Sequence, residues 1–155
     1  MVIPPQHLAN LGYSPESLDC AGLKLTLCEV FLPSGPGEVR LEGKSVPSYE
    51  RITPTDGRVY RLPEGAYIIR YCEYVKIPED FMAVALPRST LIRSGATLFS
   101  AVWDPGYEGR GYGLLLVLNK YGMSLEVGAQ VAQLVYMKLG EKTAQPYRGT
   151  YYLEK

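Results

Sequence analysis

The stretch Thr97-Leu-Phe-Ser-Ala-Val-Trp-Asp-Pro-Gly-Tyr-Glu-Gly-Arg-Gly-Tyr-Gly-Leu-Leu-Leu-Val-Leu-Asn119 decides how the chain is read. An apolar run at 97–102 breaks at Asp104-Pro105-Gly106, and a second apolar run follows at 114–119. Proline presets one backbone angle and glycine accepts a positive φ at the next position, so Pro-Gly between two such runs is turn chemistry. The pattern predicts two strands joined through a tight turn. Across Pro105-Gly106, Asp104 and Tyr107 set a carboxylate and a flat ring together at its mouth. An acid beside a ligand-sized ring suits holding a sugar while activating a water. Taken alone, the same residues also describe a surface acid on a Pro-Gly turn.

The rest of the chain has the same texture. Its 16 Gly, 12 Pro and 13 Tyr fall between short apolar runs and leave no long stretch of helical period. That predicts an all-β fold, a distorted barrel or jelly-roll-like arrangement, with one or two short helices. Further strands are expected at 23–31, 58–62, 66–75, 81–86 and 130–139. Helices are expected at 6–11, ended by Gly12, and at 89–93, with Ser89 as N-cap and Gly95 just past the end. Leu114–Leu118 is apolar at every position, which predicts a strand deep in the core. The polar, Pro- and Gly-rich region 33–56 reads as an excursion within one domain spanning 1–155.

Composition narrows the chemistry. A chain of 155 residues with 46% apolar and 21% charged residues fits one soluble globular domain with a real core. No apolar run approaches the roughly 20 residues of a membrane helix. The start Met1-Val-Ile-Pro-Pro lacks the basic and apolar regions of a signal peptide, so a cytoplasmic location is expected. Lys plus Arg equals Asp plus Glu at 16 each, which leaves no global positive field for nucleic acid. Any anionic ligand must then be held by local groups. His7 is the only histidine, which argues against Ser-His-Asp and Cys-His nucleophiles and against a histidine zinc site. Cys20, Cys28 and Cys72 lack metal spacing and read as buried, reduced thiols. The chemistry must run on carboxylates, arginines, backbone groups and any metal that the ligand brings; no protein metal site is expected.

Three other segments carry polar groups in suggestive places. Pro87-Arg-Ser-Thr-Leu-Ile-Arg-Ser-Gly95 ends a strand and offers Arg88, the Ser89 and Thr90 hydroxyls and free N–H groups, all suited to phosphate oxygens. A capped helix with a solvated arginine has the same sequence. Gln133 sits in an otherwise apolar strand, and a buried amide needs partners, whether a phosphate, a base edge or a structural network. Gln130 shares that ambiguity. The tail Pro146-Tyr-Arg-Gly-Thr-Tyr-Tyr152 is rich in rings: Arg148 could clamp an anion and Tyr147 or Tyr151 cover a base, or the tail could pack on a neighbouring subunit.

In order, these segments resemble the dUTPase and dCTP deaminase superfamily, especially the compact archaeal-type dUTPases. The resemblance runs from about Gly12 to the C-terminus and is weakest over 33–56. The first of five family motifs, Ala-Gly-Tyr-Asp-Leu, is similar to Ala21-Gly-Leu-Lys-Leu25. The second appears as Arg88-Ser-Thr-Leu91, and the third as Asp104-Pro-Gly-Tyr-Glu-Gly109 running to Asn119. The fourth is Gly128 to Gln133, and the fifth is Tyr147-Arg-Gly-Thr-Tyr151. The second and third motifs are specific together. The resemblance implies a barrel-like subunit in a homotrimer with active sites at subunit interfaces, and Mg²⁺ held mainly by the substrate triphosphate. It implies that Asp104 is the catalytic base, and that Tyr107 packs on the sugar and disfavours a 2'-hydroxyl. Arg88, Ser89, Thr90 and Gln133 would hold phosphates, while tail residues 146–155 close over the ligand and Arg148 stands in for the arginine of the fifth motif. Two departures stand out: Lys24 replaces the usual Asp of the first motif, and the fifth motif is short.

The superfamily contains hydrolases and deaminases, and chemistry separates them. Removing ammonia from cytosine requires an acid/base near the ring. The deaminases place a Glu three residues before the Asn of the third motif, where this chain has Leu116. Between Gly109 and Leu125 there is no Asp or Glu at all. Glu108 belongs to the turn, and Arg93 matches an arginine that both branches keep. Cleaving the α–β phosphate bond needs only positioned water, a base and neutralised phosphates. The expected reaction is therefore dUTP to dUMP and pyrophosphate, which limits uracil in DNA and supplies dUMP. The alternatives are a dCTP deaminase, monofunctional or bifunctional, with Glu108 or a tail residue as acid, or a non-catalytic nucleotide-binding member favoured by Lys24 and the short tail.

Overall fold

A computed structural model describes residues 1–154. Helix α1 (Pro5–Leu8) and 3₁₀ turns at Ala9–Leu11 and Pro15–Ser17 lead into β1 (Leu18–Asp19) and the long β2 (Gly22–Pro33). Short strands β3 (Glu38–Arg40), β4 (Gly43–Ser45) and β5 (Tyr49–Arg51) occupy the polar excursion. Then come β6 (Val59–Leu62), β7 (Gly65–Tyr71), β8 (Val75–Lys76), β9 (Phe81–Pro87) and helix α2 (Ser89–Arg93). The chain ends through β10 (Ala96–Phe99), β11 (Glu108–Gly109), β12 (Tyr112–Val117), β13 (Met123–Glu126) and β14 (Gln130–Lys138). The all-β expectation holds, although the single strand expected at 66–75 is two strands, β7 and β8. No helix among the described residues is long and apolar enough to cross a membrane.

The main sheet runs β10-β12-β7-β2-β14-β9, with antiparallel neighbours throughout. Its two outer strands meet again. Trp103, just beyond β10, donates its N–H to the Ala83 carbonyl on β9 at 2.9 Å and accepts the Ala83 N–H at 3.0 Å. This seam leaves the sheet a nearly closed barrel. Register shifts between Leu27 and Glu29 in β2 and between Gln130 and Ala132 in β14 add the local bends that closure requires.

Alternation sets the core. Leu23, Leu25 and Leu27 of β2 and Leu134 and Tyr136 of β14 point inward and are fully buried. Leu115 and Val117 of β12 do the same, whereas Leu114 and Leu118 face outward, with Leu118 64% exposed. The apolar run at 114–118 is therefore not buried on both faces as expected, because a strand in a single-walled barrel turns only one face inward. Phe99, paired with Leu114, extends this outward apolar stripe. The Tyr13 and Tyr136 hydroxyls lie 2.9 Å apart, and Tyr136 also donates to the Lys76 carbonyl at 3.2 Å.

Both expected helices form, and one boundary moves. The first ends at Gly12 with φ of 90°. Arg88, not Ser89, is the N-cap of α2, because its N–H still bonds the Val131 carbonyl at 3.0 Å and its backbone remains extended. The three cysteines are free, but none is fully buried as expected: Cys20 is exposed, and Cys28 and Cys72 are half-buried. Burial and the neighbouring Cys28 push the Cys72 thiol up to about 12, so it stays protonated and unreactive.

Two close approaches test the packing. A Cβ on Gly22 would lie 2.0 Å from the Leu134 carbonyl oxygen, so Gly22→Ala must part β2 from β14. A loss of about 1–3 kcal/mol is expected, read as a lower denaturant midpoint. Asp19 ties β1 to β14 and to the end of β9. It accepts from Gln130 Nε2 at 2.8 Å, from the Cys20 N–H at 2.8 Å and from the Arg88 guanidinium. The Gln130 and Cys20 bonds, with the Arg88 charge, hold its carboxyl below the usual range. Its contribution to stability is present above the ordinary aspartate value of about 3.9 and is lost as pH falls through the lowered folded value. Asp19→Asn should flatten the acid limb of a melting-temperature profile below about pH 4.

Candidate active site

Past the seam, Asp104-Pro105-Gly106-Tyr107 forms a type II turn. The Tyr107 N–H reaches the Asp104 carbonyl at 3.0 Å, and Gly106 takes the φ of 83° that this turn demands. Tyr107 swings inward onto Trp103, ring centroids 5.4 Å apart and edge-on, and Trp103 lies 6.0 Å from Tyr71. Burial raises the Tyr107 phenol far above its ordinary value, so the ring stays neutral. Asp104 stays at the surface. Its side chain is exposed and has no hydrogen bond or ion pair to the described residues.

A cavity of about 450 Å³ opens beside this turn, lined by Asp104, Trp103, Tyr107, Tyr112 and, from the tail, Tyr147 and Tyr151. Lys44 and Tyr49 of the 33–56 excursion and Glu154 also line it. Sequence reasoning missed Lys44, Tyr49, Tyr112 and Glu154. Lys44, Tyr49 and Glu154 come from distant segments that the fold brings beside Tyr112.

The tail lies against the turn of its own chain. Tyr147 N–H bonds the Pro105 carbonyl at 2.8 Å, Leu153 N–H the Glu108 carbonyl at 2.7 Å, and Arg110 N–H the Glu154 carbonyl at 2.9 Å. Arg148 donates to the carbonyls of Gly106 at 3.0 Å and Tyr147 at 2.6 Å, reaches Glu79 at 3.4 Å and stacks over the Tyr152 ring. Burial raises the Glu154 carboxyl above its ordinary value. Glu108 is engaged elsewhere: it pairs with Lys76 at 3.0 Å and accepts from the Tyr74 hydroxyl at 3.1 Å. The Lys76 contact, then Tyr74, keeps its carboxyl below the usual range.

The remaining expected residues gather in a second cluster. Gln133 stands between Lys24 on β2 and Leu86 on β9, two residues before Arg88. Ser89 and Thr90 are exposed at the start of α2, and Arg88 is held by Asp19. Gln133 Nε2 is buried with no hydrogen-bond partner among the described residues, which leaves its donor free for a ligand oxygen. The two clusters are apart within one chain. Ala83 touches Trp103 at the seam, and Arg88 lies five residues further along β9, about 16 Å at strand rise.

With this geometry in view, comparison with known proteins is specific. A family model described as dCTP deaminase-like matches residues 6–139. A protein of Aeropyrum pernix described as a probable deoxyuridine 5'-triphosphate nucleotidohydrolase is 39% identical over 140 residues, covering 90% of this chain and 87% of that protein. The deoxyuridine 5'-triphosphate nucleotidohydrolase of Methanocaldococcus jannaschii is 36% identical over 126 residues, covering 79% and 80% respectively. The crystal structure of 2'-deoxycytidine 5'-triphosphate deaminase from Agrobacterium tumefaciens shares the fold, with a TM-score of 0.66 at 16% identity over 87% of this chain and 47% of that one. With a family model spanning most of the chain and relatives aligned along most of its length, the protein belongs to the dUTPase and dCTP deaminase superfamily.

Proposed function

We propose that this chain hydrolyses dUTP to dUMP and pyrophosphate in the cytoplasm. The observation that carries this reading is Asp104: an unpartnered, exposed carboxylate at the edge of an aromatic cavity, beside the buried Tyr107 ring. Such a group can orient a water and take its proton as the water oxygen bonds to the α-phosphorus. The bond to the bridging α–β oxygen then breaks, and that oxygen leaves with pyrophosphate. The relatives from Aeropyrum and Methanocaldococcus carry the name of this activity. The Tyr107 ring, packed against Trp103, would lie beside the sugar and disfavour an added hydroxyl.

Phosphate binding falls to Arg88, Ser89, Thr90 and Gln133, with Arg148 on the tail as a further cation. Because the Arg88 cluster lies about 16 Å along β9 from the Asp104 seam, each site is proposed to combine Asp104 of one copy with Arg88 and Gln133 of another in a homotrimer. The outward stripe of Phe99, Leu114 and Leu118 supplies apolar surface for a neighbouring copy to cover. Magnesium would come as a passenger of the triphosphate, whose phosphate oxygens suit this ion. Bound there, it would neutralise charge on the departing pyrophosphate.

One observation favours a second reading. Glu154 lines the same cavity with its carboxyl raised by burial, the condition of a group that can deliver a proton to a leaving amine. A dCTP deaminase activity would use it. Separate assays of pyrophosphate and ammonia with Mg²⁺ and dUTP or dCTP distinguish the readings. Pyrophosphate from dUTP without ammonia from dCTP is expected, and ammonia abolished by Glu154→Gln would establish the second. Silence in both assays points to a nucleotide-binding protein.

Two variants examine the mechanism. Asp104→Asn should lower turnover at least about a hundredfold while leaving triphosphate binding within a few-fold. Unchanged turnover would remove Asp104 from its role. Mixing Asp104→Asn subunits with Arg88→Ala subunits, after reversible dissociation, should restore about a quarter of the sites if each draws on two copies. If no activity returns, the site belongs to a single chain.

A further inference from the structure

We propose that Lys24 is a further substrate-binding residue, whose ammonium, with the Gln133 amide, holds an oxygen of the triphosphate. This rests on the nucleotide reading of the site and extends it to a residue outside the expected contact set. Lys24 and Gln133 are directly opposed across β2 and β14. Their flanking residues Leu23, Leu25, Ala132 and Leu134 are all fully buried, so alternation turns both side chains to the outer face. Opposed residues in such a pair bring their Cβ atoms to about 5 Å, within common reach of one anion.

The two side chains are unequally satisfied. Lys24 Nζ donates to the Glu16 carbonyl at 2.9 Å, and no carboxylate of the described residues lies within ion-pair distance of it. An ammonium carries three donors, so two remain. Gln133 Nε2 is buried without an acceptor, a costly state unless something arrives to fill it. The nearby Arg88 guanidinium, by contrast, already carries the Asp19 carboxylate, so that pair adds no net charge. Lys24 is thus a cation of this face with no ion pair among the described residues. One phosphate oxygen placed between the strands would satisfy both the amide and the ammonium. The Glu16 carbonyl holds the lysine in place beforehand, which reduces the entropy lost on binding.

The probe is inorganic tripolyphosphate, titrated calorimetrically into the intact protein without divalent ions, so that only protein groups contribute. Lys24→Met keeps the apolar stem and should weaken binding about ten- to a hundredfold, the scale of a charge-assisted hydrogen bond. Lys24→Arg should stay within a few-fold of wild type, and affinity for deoxyuridine should be the same in all three proteins. Equal tripolyphosphate affinity in wild type and Lys24→Met would overturn the assignment, as would a wild type that does not bind it. Should Lys24→Met fail to fold, acetic anhydride labelling of the wild type decides: tripolyphosphate is expected to protect Lys24 and not the exposed Lys120, and equal labelling of Lys24 would overturn the proposal. A wild type that binds tripolyphosphate through Lys24 but does not turn over dUTP refutes the hydrolase reading alone.

Discussion

Two backbone hydrogen bonds between Ala83 and Trp103 close the barrel, and the rest of the molecule is arranged around them. Without that seam β9 and β10 would be open edges, with unpaired backbone groups available to other chains. The seam also fixes where the following turn begins. Asp104 is the next residue, so the carboxylate is placed by the sheet rather than by a wandering loop. A backbone held this way loses little freedom when a ligand arrives.

From the seam inward, the order is transmitted by rings. Tyr71, Trp103, Tyr107 and Tyr147 form a continuous series of contacts with centroids 5.4 to 6.0 Å apart. Each ring removes apolar area from water while its edge or face orients the next. Glycines make the series possible, since a Cβ on Gly111 would lie 2.2 Å from the Trp103 ring. The tail is the outermost member. Its backbone bonds to Pro105, Glu108 and Arg110 turn an irregular segment into part of the cavity wall.

Much of this was legible in the chain because it depends on local patterns. Alternation in β2 and β14, Pro-Gly at the turn and Gly12 and Gly95 at the helix ends each announce a conformation within a few residues. What depends on closure was not legible. The outward aspect of Leu114 and Leu118 follows from a single-walled barrel, which a run of leucines cannot express. The shift of the α2 cap from Ser89 to Arg88 follows from a bond to Val131 on another strand. Motif spacing identified Asp104, Tyr107, Arg88 and Gln133 as candidate site residues, but not their division into two clusters. Lys44, Tyr49 and Glu154 carry no local mark, and neither do the contacts by which Gly106, Tyr147 and Glu79 position Arg148 on the tail.

The single tryptophan of the chain is Trp103. Its ring lines the cavity while remaining 5% exposed, and its indole N–H is fixed to Ser100 Oγ at 2.9 Å. All the intrinsic indole emission of the protein therefore originates at one wall of the candidate site. Excitation absorbed by Tyr71 and Tyr107, at about 6 Å and 5.4 Å, drains toward the same indole. The molecule thus carries a built-in optical reporter: a change in the polarity or rigidity of that wall alters the emission of this indole, with no label and no background from a second tryptophan.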